Sequence, residues 1–229
     1  EWHAHPYFAH GCRGGHSREE AIVVALISSA KLCKGGYSHI NVFHDMTNAF
    51  LCTPHRTLDT NARMCCDSAQ NAKLLIQRHH QACIQIDAPD GEVVLNLGVG
   101  GMVGDHGGPV EFMNAFHPVI SKWNESVQKC NEHILLSTNP VDGSNVDLGL
   151  TSYVDDIHAK HLFNERDRLT SEPIARIKAA NEKLDHLLAE GGYAQNAKKQ
   201  ENVPIFIGKH AKQNYRLFVS TCPILGQGA

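Results

Sequence analysis

Leu148-Gly149-Leu150-Thr151-Ser152-Tyr153-Val154-Asp155-Asp156-Ile157-His158-Ala159-Lys160-His161-Leu162-Phe163 sets two adjacent carboxylates between two apolar, strand-like runs. Side chains alternate faces along a strand, so only a tight turn lets Asp155 and Asp156 reach one site. Asp is also favoured in turns for its own backbone hydrogen bonds, and an Asp-Asp turn alone is ordinary turn chemistry. Two carboxylates held together repel, and a divalent cation is the usual remedy. A hard cation such as Mg²⁺ takes oxygen ligands and commonly bridges carboxylates to phosphates, so the pair points to phosphate chemistry.

A third carboxylate stands in a matching setting, at the end of the run His39-Ile40-Asn41-Val42-Phe43-His44-Asp45, followed by Met46-Thr47-Asn48-Ala49-Phe50. Asp-x-x-x-Ala-Phe after an apolar strand, with Tyr153-Val154-Asp155-Asp156 starting 108 residues later, resembles motifs A and C of reverse transcriptases. The nearest resemblance is to the polymerase segment of non-LTR, LINE-like retroelements. Gly11-Cys12-Arg13-Gly14-Gly15-His16-Ser17 resembles the Gly-Phe-Arg-x-Gly-Arg-Ser element of the fingers. Gly101 to Phe112, with Gly104-Asp105 and Pro109, resembles motif B, and Asn196-Ala197-Lys198-Lys199 resembles the Asn-x-x-Lys of motif D. The matches fall in the family's chain order and run from about residue 11 to 210.

The resemblance implies an α+β fold, the right-hand polymerase palm with its antiparallel sheet backed by helices, with partial fingers. Its fingers parts would be 1–36 and 51–97, and its palm 37–50 (motif A) and 98–229 (motifs B, C and D). The sequence stops soon after Tyr215-Arg216-Leu217-Phe218, so thumb, RNase H and endonuclease segments are not expected within it. The implied chemistry is RNA-directed DNA polymerisation with Mg²⁺ or Mn²⁺ on Asp45, Asp155 and Asp156, an RNA template, a DNA primer and deoxynucleotides. Lys199 would protonate the departing pyrophosphate, with Lys198 beside it as the competing choice. Arg13 and Arg18 would meet the triphosphate through bidentate contacts. Arg18, on a helix's first turn, reads equally as a solvated surface residue. Phe50 holds the family's position for the aromatic that selects deoxynucleotides, against a reading as a core phenylalanine. Gly104 holds the glycine of motif B.

Several positions depart from the family pattern. Met102-Val103-Gly104 replaces Pro-Gln-Gly, removing the glutamine that touches the incoming nucleotide, and His106 replaces a proline. Glu111 puts a carboxylate on an apolar helix start, Leu51 stands where relatives often carry Asp, and His16 replaces an arginine. These changes leave a second reading open: a reverse-transcriptase-derived structural or accessory subunit of a larger assembly that no longer polymerises.

Composition narrows the classes. A chain of 229 residues can bury a substantial core. No run approaches the ~18 apolar residues of a membrane helix, and Glu1-Trp2-His3-Ala4-His5 lacks the features of a signal peptide. Eight scattered cysteines without Cys-x-x-Cys argue against a zinc ribbon or a disulfide framework, and the expected setting is a reducing intracellular compartment, nucleus or cytoplasm, with an organelle left open. The formal charge of −3 argues mildly against strong non-specific nucleic-acid binding. Sixteen histidines are many, but the pairs His79-His80 and His158 with His161 lack a zinc-site spacing with a third ligand, so no histidine metal site is expected.

Along the chain, Ser17 to Leu32 reads as a helix, with Ser17 as N-cap, Glu20 three residues on, and Ile22, Ala25, Leu26 and Ser29-Ala30 as its apolar face. Tyr37 to His44 reads as a strand with Ile40, Val42 and His44 on one face. Arg56 to His80 is helical in character, Ala82 to Leu97 a hairpin about Pro89-Asp90-Gly91, and the glycines from 98 to 108 a loop before a helix from Pro109 to Val127. Lys129 to Gly143 reads as irregular. A helix from about Ser171 to Ala189, stopped by Gly191-Gly192, leads to a last strand.

Overall fold

A computed structural model describes residues 6–12, 14–101, 107–130, 136–139, 141–163 and 169–221. The first half holds α1 (Arg18–Lys34), β1 (Ser38–His44), α2 (Ala49–Cys52), α3 (His55–Cys65), α4 (Ala69–Gln81) and the hairpin β2 (Cys83–Ala88) with β3 (Gly91–Asn96). There follow α5 (Gly108–Cys130), β4 (Leu136–Thr138), β5 (Asn145–Asp147), β6 (Leu150–Tyr153), β7 (Asp156–Phe163), α6 (Ser171–Glu190), β8 (Glu201–Ile205) and α7 (Ala211–Thr221).

The central sheet runs β6-β7-β1-β8 and is antiparallel throughout. Its register pairs His44 with Ile157, Val42 with Ala159, Ile40 with His161 and Ser38 with Phe163. Alternation therefore puts Ile40, Val42, Ile157, Ala159 and Phe163 on one face. α5 and α6 cover that face. Phe112, Phe116, Ile120 and Trp123 of α5 meet Leu184, Leu187 and Leu188 of α6 in the larger core, and Ile174 and Ile177 join Ile40, Val42, Phe163 and Phe218 in the smaller one. The Trp123 indole donates to the Ala180 carbonyl at 2.8 Å and satisfies its one polar group. The fold is α+β, an antiparallel sheet backed by helices.

α1 occupies the opposite face of the sheet and makes a third layer. Its Ser29 hydroxyl donates to Asn41 Oδ1 at 3.2 Å, and His158 Nε2 donates to the same oxygen at 3.1 Å. The helix begins as read, with Ser17 Oγ accepting from the Glu20 amide. Its buried face differs from the expectation: Ala21, Ser28 and Leu32 face the sheet, while Ile22 and Leu26 are 48% and 64% exposed. A helix apolar on nearly every side gives periodicity nothing to choose with. The small residues win because they let the helix lie close against a strand.

Two further elements depart from the reading. The single helix expected over 56–80 is broken, because Cys66 turns extended and Ser68 caps a new helix by accepting from the Asn71 amide at 3.1 Å. The segment expected to be irregular contains a short ladder, with Leu136 opposite Asp147. Among the described residues no helix is long and apolar enough to cross a membrane.

Candidate functional site

The end of β1 and the start of β7 lie side by side. Since His44 pairs with Ile157, the next ladder position sets Asp45 opposite Asp156. Tyr153 pairs with Asp156, leaving Val154 and Asp155 as a two-residue turn in which Val154 takes a left-handed φ of 59°. That conformation costs a β-branched residue energy and is held by its surroundings. They are supplied by the N-terminal segment: Ser152 donates to the Phe8 carbonyl at 2.8 Å, and His10 donates to the Ser152 carbonyl at 3.0 Å. Gly11 comes so close to Val154 that a Cβ there would stand 2.3 Å from the Val154 nitrogen. Glycine at 11 is what lets the turn pack down.

The residues after α6 close the site from the other side. Asn196 donates its backbone N–H to the Asp45 carbonyl at 2.8 Å, and Lys199 turns back on Asn196. The Lys199 ammonium then stands 3.3 Å from Asp45 Oδ2 and 3.5 Å from Oδ1. Lys198 also lines the cleft, but the ion pair with Asp45 belongs to Lys199. Arg18, Asp45, Asp156, Lys198 and Lys199 line an open cleft of about 670 Å³ floored by Phe43, His44, Ile157 and His158.

The electrostatics are those of crowded like charges. Burial and then the Asp45 charge push the Asp155 carboxyl above its ordinary range, against its own backbone hydrogen bond and Lys199. Burial, Asp155 and Asp45 likewise raise Asp156, with Arg18 and Lys199 opposing. The three carboxylates thus share one field. Asp45 Oδ2 is buried, and its neighbour is the Lys199 ammonium at 3.3 Å. Carboxylate oxygens are the ligand type a hard divalent cation takes.

Phe50 lies elsewhere. Its ring packs on Phe112 with centroids 4.6 Å apart, and its carbonyl accepts from Gly101 at the edge of the glycine loop, so it does not line the cleft. Arg13 and Gly104 lie outside the described residues, as do Val103 and His106. Glu111 has a local explanation: Arg78 and His79 each reach it at 3.0 Å, tying α4 to α5. His158 and His161 fall on opposite faces of β7, one toward Asn41 and one toward the core, and cannot share a ligand. The reading from sequence missed the cleft floor, Phe43 stacked on His158 at 4.6 Å, because alternation alone does not show that α1 leaves that end of the sheet open.

No family model and no curated protein matches the chain significantly. Solved structures share its fold. Apo telomerase from Candida tropicalis, truncated from its C-terminal domain, superimposes with a TM-score of 0.56 at 12% identity over 88% of this chain and 37% of that one. Telomerase from Candida tropicalis in complex with the TWJ fragment of telomeric RNA gives 0.57 at 10% identity over 86% and 30%, and the Candida albicans counterpart gives 0.54 at 11% identity over 83% and 30%. The chain thus spans about a third of the length of these telomerases. Its fold is reverse-transcriptase-like.

Proposed function

We propose that the chain is the fingers-palm segment of a non-LTR, LINE-like reverse transcriptase, with Asp45, Asp155 and Asp156 holding Mg²⁺ or Mn²⁺ for nucleotidyl transfer. The observation that carries this reading is that Asp45, at the end of β1, and Asp155 and Asp156, at the turn into β7, lie close enough for their charges to act on one another. Divalent cations at such a site stabilise the attacking 3′-oxygen and the departing pyrophosphate. Lys199, paired with Asp45, would turn toward that leaving group and give up its proton to it. Arg18 supplies a fork of donors at the cleft rim for a deoxynucleoside triphosphate. The open side of the cleft would take an RNA template and a DNA primer. Segments 1–36 and 51–97 would act as fingers, and a nuclear or cytoplasmic setting suits such a reaction.

A specific observation favours a second reading. Ile22, Val23, Leu26 and Ile27 form an apolar row on α1, each about half exposed or more, beside the cleft. Exposed apolar surface of this kind marks contact with a partner, as an accessory subunit without polymerase activity would have. Primer extension on an RNA template with Mg²⁺ separates the two. Incorporation of deoxynucleotides lost in Asp155→Asn supports the polymerase, and none at any protein concentration supports the subunit.

A further inference from the structure

We propose a second metal site, for a transition metal of the zinc class, formed by His10, His16 and Glu20. His16 Nδ1 stands 2.8 Å and His10 Nδ1 3.4 Å from the same oxygen, Glu20 Oε2, and the three ligand atoms lie within 4.8 Å of one another. Ligands about 2.1 Å from a tetrahedral ion stand roughly 3.4 Å apart, so the group needs only a small opening to admit one. The second observation is His10 itself. Its side chain is 7% exposed, and its buried Nδ1 has Glu20 Oε2 as its neighbour at 3.4 Å. A buried imidazole nitrogen held against a carboxylate beside a second imidazole is the donor set a zinc-class ion takes.

The donor set selects the ion. Two imidazoles and one carboxylate with an open fourth position suit Zn²⁺, Co²⁺ or Ni²⁺, and they disfavour Mg²⁺, which the all-oxygen trio would take. The site also has a structural consequence. His10 belongs to the segment hydrogen-bonded to Ser152, one residue from the Gly11–Val154 contact, while Glu20 sits two residues after Arg18 on α1. An ion there staples the segment that buttresses the Asp155 turn to the helix that carries Arg18. The bridge of Ala9 to Ser152 and the start of α1 bring the three together.

Cobalt titration of the full chain, read by visible absorption, tests the site. One equivalent of Co²⁺ should give the strong bands of a tetrahedral ion, displaced by Zn²⁺. His16→Ala and Glu20→Gln should each weaken binding by about 100-fold. Both keep the fold, since His16 is partly exposed and Glu20→Gln leaves the backbone N–H that Ser17 accepts from. Asp155→Asn should bind Co²⁺ as the native chain does, which separates this site from the carboxylate trio. Zn²⁺ should raise the melting temperature of the native chain and not of the two variants. Absence of tetrahedral bands at saturating Co²⁺, or equal affinity in His16→Ala, overturns the proposal.

Discussion

Gly11→Ala tests how the cleft is built. The new Cβ would stand 2.3 Å from the Val154 nitrogen and 2.8 Å from Val154 Cγ2, where ordinary contacts begin at 3.4 Å, so something must move by about 1 Å. The N-terminal segment cannot simply lift away, because Ser152 grips it through hydrogen bonds to Phe8 and from His10. The displacement falls on the Val154–Asp155 turn. Overpacking against backbone costs about 1–3 kcal/mol, and a shift of ~1 Å in a metal-binding or reacting group can cost roughly 10²-fold. Thermal melts and Mn²⁺ titration of the full chain read both effects, with Gly14→Ala as the control, since a Cβ at 14 meets nothing within 4 Å. Gly11→Ala that melts and binds Mn²⁺ like the control would refute the claim that this glycine seats the carboxylate turn.

Acid should unfold the chain by way of its buried histidines. Burial lowers His44 and His161 to about 4 and His158 to about 3, so in the folded state they stay neutral while the unfolded chain takes up protons as pH falls below about 6.5. Their contribution is intact above pH ~6.5 and shrinks toward the folded values. At about pH 5 each has lost about 2 kcal/mol, a total comparable to the stability of a domain, so circular dichroism should show unfolding near there. The carboxylates act in the opposite sense. Asp155 is raised in the folded state, so its charge costs stability at neutral pH, and Asp155→Asn should raise the melting temperature at pH ~7 with the gain fading toward pH ~4. Phe116→Ala removes a fully buried ring stacked on Phe112 and edge-on to Tyr193, and denaturant melts should show a loss of about 3–5 kcal/mol.

Much of this was legible in the sequence where local rules and chain order agree. Alternation along 37–44 puts Ile40, Val42 and His44 on one face, and the Asp155 turn lies where the apolar runs part. Other features depend on residues far apart in the chain. The choice between two apolar faces of α1 was decided by how closely Ala21 and Ser28 fit the sheet. The Lys199–Asp45 pair depends on Asn196 donating to a carbonyl 151 residues earlier. His10, His16 and Glu20 meet because the segment from 8 to 11 folds back along β6 before α1 begins. Phe50 carried two readings in the sequence, a nucleotide contact and a core phenylalanine, and local pattern could not show that its ring packs on Phe112 of α5.

The most direct test of the account is a Mn²⁺ titration followed by electron paramagnetic resonance, done in the His16→Ala background so that only the carboxylate trio is read. The account predicts weak, saturable binding that Asp155→Asn abolishes, because two remaining carboxylates hold a largely hydrated cation too loosely. Equal Mn²⁺ affinity with and without Asp155 would contradict it.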